Sequence, residues 1–314
     1  MNYIQQAYKG ENEAWKVFIT LLIVSGIFIV NLIFYVFFAD GIDVVEEQKK
    51  MLELIPSKNF WLAVNLFPFA ILLGLLFLFV KYLHKRSLKS LTTAREKIDW
   101  SRAFFSFGLI VVITLGLFAY GYYSDPSLIE WQFDPLKFTI LVIISLLLFP
   151  LQIALEEYLF RGYLMQQVGI LVKNKWFPLI LTSVLFGMLH AANPEVVEMG
   201  PVIMIFYIGT GLLLGIMTLM DDGLELALGF HFGNNLLAAL LVTSKWSALQ
   251  TDAVFVYTAE EASNQISEIL IPVLVVYPII LFILAKKYKW KNWSTNLLGK
   301  VVEPPKEDYK IIGD

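Results

Sequence analysis

Eight stretches of this 314-residue chain hold no Asp, Glu, Lys or Arg: 17–39, 60–80, 104–123, 138–155, 176–192, 200–220, 226–244 and 269–285. A helix that crosses a bilayer needs roughly 17–25 predominantly apolar residues. The chain therefore reads as an all-α, polytopic integral membrane protein of about eight transmembrane helices. Composition agrees, with 58% hydrophobic and 16% charged residues, where a soluble domain carries about 25% charged residues. The first stretch is longer than the roughly 7–15-residue core of a cleaved signal peptide and ends in Tyr-Val-Phe-Phe, so it is expected to remain as a span.

The net charge of −3 hides an asymmetry. If the N-terminus is cytoplasmic, the loop between the second and third stretches is an inner loop carrying Lys81, Lys85, Arg86, Lys89, Arg95, Lys97 and Arg102. The loop between the fifth and sixth is then outer and holds Glu195 and Glu198 with no basic residue. The positive-inside rule favours that orientation and places both termini in the cytoplasm. It also accounts for the tail lysines Lys286, Lys287, Lys289 and Lys291, which face membrane lipids; no nucleic-acid partner is expected. The chain has no cysteine, which excludes disulfides, thiolate catalysis and thiolate metal sites.

Three regions follow. Residues 1–135 form three spans of scaffold, with a short interfacial helix expected within 40–59. Residues 136–245 form four closely connected spans that hold every suspicious polar residue. Residues 246–314 comprise an outer loop, acidic over 245–268, then a last span and a polar tail in which Pro304 and Pro305 argue against helix.

Within the second region, Glu156 and Glu157 stand five and four residues before Arg161, near the end of an apolar run. A charge at bilayer depth costs roughly 2.5–3.5 kcal/mol on the mildest scale, so such groups are functional candidates. Residues i and i+4 share a helix face, which pairs Glu157 with Arg161 and leaves Glu156 with no partner on its own helix. Its partner is expected from another span. Two of the three histidines, His190 and His231, also fall in spans. Phe186 precedes His190 by four and is expected to pack against its ring, while His231 and Asn235 share a face. Gly229 and Gly233 lie opposite, where small residues let a neighbouring backbone approach.

At about 1.5 Å of rise per residue, Glu156, His190 and His231 lie roughly 18, 21 and 13 Å from the inner surface, so they can meet in one layer. The same count makes the fourth helix too long for the bilayer, and a kink is expected at Pro150. His84 is read as solvated loop. Asn31, Asn65 and Asn193 are read as structural, and Glu225 as a residue reaching the inner interface.

A carboxylate that takes a proton from water, a histidine that positions that water and donors for an oxyanion are the parts needed for peptide hydrolysis. Other readings use the same residues. Glu156, His190 and His231 are three potential zinc ligands, although no His-Glu-x-x-His helix is present. A proton-coupled carrier and a non-catalytic immunity or peptide-binding protein also remain.

Glu-Glu-x-x-x-Arg (Glu156, Glu157, Arg161), Phe-x-x-x-His (Phe186, His190) and His-x-x-x-Asn (His231, Asn235), in this order, resemble the CPBP family, which comprises CAAX prenyl endopeptidases and bacteriocin-processing or self-immunity proteins, also called Abi. The resemblance implies an intramembrane glutamic endopeptidase that needs no cofactor. Glu156 would activate water, His190 would help hold it, and His231 with Asn235 would form the oxyanion site. Glu157 and Arg161 would be a structural ion pair. The implied substrate is a membrane-associated, possibly prenylated, protein or peptide, reached from the cytoplasmic side.

Overall fold

The computed structural model describes residues 1–38, 44–258 and 266–311. After a 3-10 turn at Ile4–Lys9, the chain forms α1 (Ala14–Phe38), α2 (Val44–Leu54), α3 (Lys58–Leu78), a short α4 (Lys89–Thr92) and α5 (Trp100–Ser124). Strand β1 (Ile129–Trp131) leads to α6 (Pro135–Glu157), a π-helical segment Tyr158–Leu164 and α7 (Met165–Val172). Then come α8 (Trp176–Met188), α9 (Pro194–Met199), α10 (Met204–Asp221), α11 (Glu225–Leu240), β2 (Val242–Thr243), β3 (Phe255–Tyr257), α12 (Ile266–Ile271), α13 (Tyr277–Tyr288) and α14 (Trp293–Leu298). Helices dominate because lipid offers no hydrogen-bond partner and an α-helix satisfies its own backbone. Their starts carry ordinary signals: Ser57 Oγ accepts from Phe60 N at 3.1 Å, and Asp134 Oδ1 accepts from Leu136 N and Lys137 N ahead of α6, with Pro135 in its first turn.

Among the described residues, six helices are long and apolar enough to cross a membrane: Ala14–Phe34, Lys58–Leu83, Trp100–Ser124, Pro135–Val172, Pro201–Asp221 and Ile269–Tyr288. Lipid-facing side chains such as Phe18, Val112, Leu147 and Phe282 are exposed. This is an integral membrane protein. The other two apolar stretches form α8 and α11, of 13 and 16 residues, or about 20 and 24 Å against a hydrocarbon core of about 30 Å. His231 lies within α11, and His190 lies two residues past the end of α8.

Pro150, where a kink is expected, lies inside α6 without ending it. Helix α6 continues through Pro150, and the ladder changes only at the π-helical Tyr158–Leu164, immediately after the glutamate pair. A π segment inserts an extra residue into the turn, and such segments often accompany functional sites. A helix does form between the first two long spans, as α2, while 39–43 lie outside the described residues. So do 259–265 of the acidic loop. The tail adds the short α14 before Pro304.

The all-helical pattern has one small addition. β1 pairs antiparallel with β3 (Ile129↔Tyr257, Glu130↔Val256, Trp131↔Phe255), and β2 pairs parallel with β3 (Val242↔Phe255, Thr243↔Val256). Phe255 anchors the sheet among Phe118, Tyr122 and Trp131. On the opposite end of the molecule, Leu224 N donates to Thr92 O, Ala94 N to Asp222 O, and Val301 N to Lys173 O. Tyr3 N donates to Asp222 Oδ1 and Gln5 Nε2 to Val302 O, so both termini and the basic loop share one face.

Two residues of that face differ from expectation. His84 is buried, not solvated: its Nδ1 donates to Glu11 O at 2.6 Å, and Tyr163 OH donates to its Nε2 at 2.8 Å. Burial lowers its pKa because the charged imidazolium loses solvation. Glu225 is also buried; it takes Arg95 Nη2 at 2.6 Å and Asp99 N at 3.1 Å, clamping the turn that starts α11. A charged chain can be held this way only by partners distant in sequence, which local reading does not reveal.

Gly229 and Gly233 face α5, as their spacing suggests. A Cβ at Gly229 would lie 1.9 Å from Ala103 O and 2.5 Å from Ser106 Oγ. Gly229→Ala is therefore expected to push α11 off α5 at a cost of about 1–3 kcal/mol. A fall in the thermal midpoint of the detergent-solubilised protein checks this; an unchanged midpoint would contradict the close contact.

Candidate active site

Helix α6 ends in the acidic pair. Both carboxylates are buried, yet they meet different partners because successive helical residues point about 100° apart. Glu157 Oε1 accepts from Arg161 Nη1 at 2.8 Å and from His231 Nδ1 at 2.8 Å. Arg161 is wholly buried; its Nη2 donates to Gly211 O at 3.2 Å and its guanidinium lies 4.2 Å from the Phe186 ring centre. A Cβ at Gly211 would fall 2.7 Å from Ser183 O, so α8 and α10 touch backbone to backbone beside this arginine. The expected Glu157–Arg161 pair is thus present, and it holds a third member, His231.

Glu156 has a partner on its own helix after all. Gln152, one turn earlier, donates from Nε2 to Glu156 Oε1 at 2.9 Å. The expected partner from another span is also there: His231 Nε2 stands 3.5 Å from Glu156 Oε2. Because a carboxylate only accepts, the 2.8 Å contact with Glu157 puts a hydrogen on His231 Nδ1. Its Nε2 is then left facing Glu156.

His190 follows the end of α8. Its Nδ1 donates to Phe186 O at 3.0 Å, since a carbonyl is an acceptor only, and its Nε2 is therefore an acceptor in the neutral ring. The Phe186 ring lies 5.1 Å from His190 and 5.8 Å from His231, so it packs against both imidazoles. Phe186 does more than pad its own helix. His190 also stacks on Tyr207 at 4.4 Å with an 18° interplanar angle, and Asn193 Nδ2 donates to the Tyr207 hydroxyl at 3.4 Å. Asn235 lies one turn after His231; its Oδ1 accepts from Asn234 Nδ2 at 3.2 Å, which leaves its own amide hydrogens as donors.

The structure brings Glu156, Glu157, Arg161, Phe186 and His231 into one cluster, with His190 against Phe186 and Asn235 on the His231 face. Sequence reasoning missed Gln152, Tyr207 and Gly211. Gln152 had a signal, a polar residue four before Glu156 inside a stretch counted apolar because only charges were excluded. Among the described residues, no three His, Cys, Asp or Glu side chains are grouped to hold a metal ion. Glu157 engages Nδ1 of His231, which leaves Nε2 as the ring nitrogen open to the site.

Residues 135–237 match the family model described as type II CAAX prenyl endopeptidase, Rce1-like. The matched segment contains every residue of the cluster. The uncharacterized protein YyaK of Bacillus subtilis (strain 168) is 28% identical over 252 residues, covering 78% of this chain and 83% of that protein. No solved structure matches the chain.

Proposed function

We propose, from the match of residues 135–237 to the Rce1-like type II CAAX prenyl endopeptidase family model, that the chain is an intramembrane endopeptidase in which Glu156 is the general base. The observation that carries this reading is the 3.5 Å approach of His231 Nε2 to Glu156 Oε2, with His231 held from behind by Glu157 at 2.8 Å.

In the proposed reaction, Glu156 Oε2 takes a proton from water while the water oxygen bonds to the scissile carbonyl carbon. His190 Nε2 accepts the water's other hydrogen and holds it in line. The carbonyl π electrons move to oxygen, and the oxyanion is stabilised by Asn235 Nδ2–H and by His231 Nε2–H once the proton has passed from Glu156. Return of that proton from His231 Nε2 to the leaving nitrogen breaks the C–N bond and yields an amine and a carboxylic acid, which gives up its proton to Glu156. Glu157 and Arg161 touch no reacting atom; they orient His231 and offset its charge.

The substrate class we assign is a membrane-associated protein or peptide carrying a prenylated carboxyl-terminal segment, with membrane lipids as the surrounding partners. The face bearing both termini and the basic loop is assigned to the cytoplasm. His231 lies roughly 13 Å from the turn at Asp222 on that side, and we assign substrate entry to it.

The test is cleavage of a farnesylated CAAX peptide by the purified full-length protein in nanodiscs, read by mass spectrometry, with and without chelator. Loss of the last three residues, insensitive to chelator and absent from the unprenylated peptide, is the expected result. Chelator-sensitive cleavage with stoichiometric zinc would replace the glutamic mechanism by a zinc one. Binding without cleavage would favour the non-catalytic reading.

A further inference from the structure

Gln152 is polar within a membrane span, and such residues carry a desolvation cost unless their groups are partnered. Its one hydrogen bond goes from Nε2 to Glu156 Oε1 at 2.9 Å. Its Oε1 is buried and has no donor, so the carboxamide ties together no neighbouring helix. A side chain kept only for packing would be apolar here, as Ile153 and Phe149 are on the same helix. We infer that Gln152 is a positioning residue for the reaction proposed above, on which this inference rests: its N–H pins Oε1 of Glu156 so that Oε2 is the oxygen presented to His231 and to water.

The geometry supports this division of labour between the two oxygens. A carboxylate on a flexible side chain can turn either oxygen toward a reacting proton. With Oε1 engaged by Gln152, rotation is arrested and Oε2, otherwise unpartnered, stands 3.5 Å from His231 Nε2. The same helical spacing makes the arrangement rigid, because positions 152 and 156 stack on one face. The charged groups around Glu156 are Glu157 and Arg161 from its own chain segment and His231 from α11, and Glu157 and Arg161 are already engaged with each other. Gln152 is thus the one neutral donor on Glu156 among the described residues.

The experiment measures kcat and KM for the farnesylated peptide with Gln152→Met, Gln152→Glu and Glu156→Gln in full-length protein. Met preserves length and volume but carries no N–H. The expected result is a kcat ~10–100-fold lower, the worth of a hydrogen bond to a charged group, with KM unchanged, which separates positioning from substrate binding. Gln152→Glu keeps a donor only while the two carboxyls share a proton, so its activity is expected to survive at low pH and fall at higher pH where the wild type is still active. This second signature stands even if Gln152→Met fails to insert. Wild-type kcat in Gln152→Met, or a Gln152→Glu profile parallel to wild type, overturns the role of Gln152 and leaves the reading of Glu156 intact. Full activity of Glu156→Gln, or no cleavage by wild type, overturns that reading itself.

Discussion

Replacing Glu156 by Gln is expected to lower peptide cleavage by ~10²–10⁴-fold, the usual contribution of a general base, while the protein still inserts and folds. Gln has the same shape and keeps a carbonyl to accept from Gln152, so the local packing survives. What it loses is a site that can take a proton at the oxygen 3.5 Å from His231 Nε2. His190→Ala is expected to act in the same direction by removing the acceptor that holds water, and it also removes the ring stacked on Tyr207. The measurement is the turnover of the farnesylated peptide alongside a thermal melt in detergent, which separates lost chemistry from lost fold. Full turnover in the Glu156 variant would leave the cluster without a base and end the glutamic mechanism.

The second large effect is on stability. Arg161→Met would leave Glu157, a carboxylate with no exposure, with His231 but without its charged partner, and breaking a buried pair by removing one partner costs about 3–5 kcal/mol. The variant also loses the guanidinium over Phe186 at 4.2 Å and the bond to Gly211 O at 3.2 Å, both of which tie α6 to its neighbours. A large drop in melting temperature, with lower yield from the membrane, is the expected outcome. The double variant Glu157→Leu with Arg161→Met removes both charges, and apolar replacement of a whole buried pair is often neutral for stability. Its melting temperature is expected to recover while its turnover does not, because His231 Nδ1 has lost the carboxylate that orients it. A double variant with restored turnover would show that Glu157 serves the fold alone.

Much of this site was legible in the chain. The apolar stretches announced a membrane protein because only a helix can satisfy its backbone in lipid, and that constraint is local. The pairing of Glu157 with Arg161 was equally local, a matter of four residues on one helix face. The approach of α11 to α5 through Gly229 could be read from residue size alone, although its partner could not.

What lay beyond reach has a common cause. His84 and Glu225 carry polar groups that a loop or a helix end would ordinarily leave in water, and they are buried because Glu11, Tyr163, Arg95 and Asp99 meet them in space. The π-helical turn at Tyr158–Leu164, which follows α6, was likewise not legible in the sequence.

The linear order of residues settles which helices form and which side chains share a face, since those follow from backbone periodicity and the absence of water in lipid. It leaves open which faces meet. That His231 bridges both glutamates, one at each ring nitrogen, arises from the docking of α11 against α6, where a few ångströms of helix placement choose the partners.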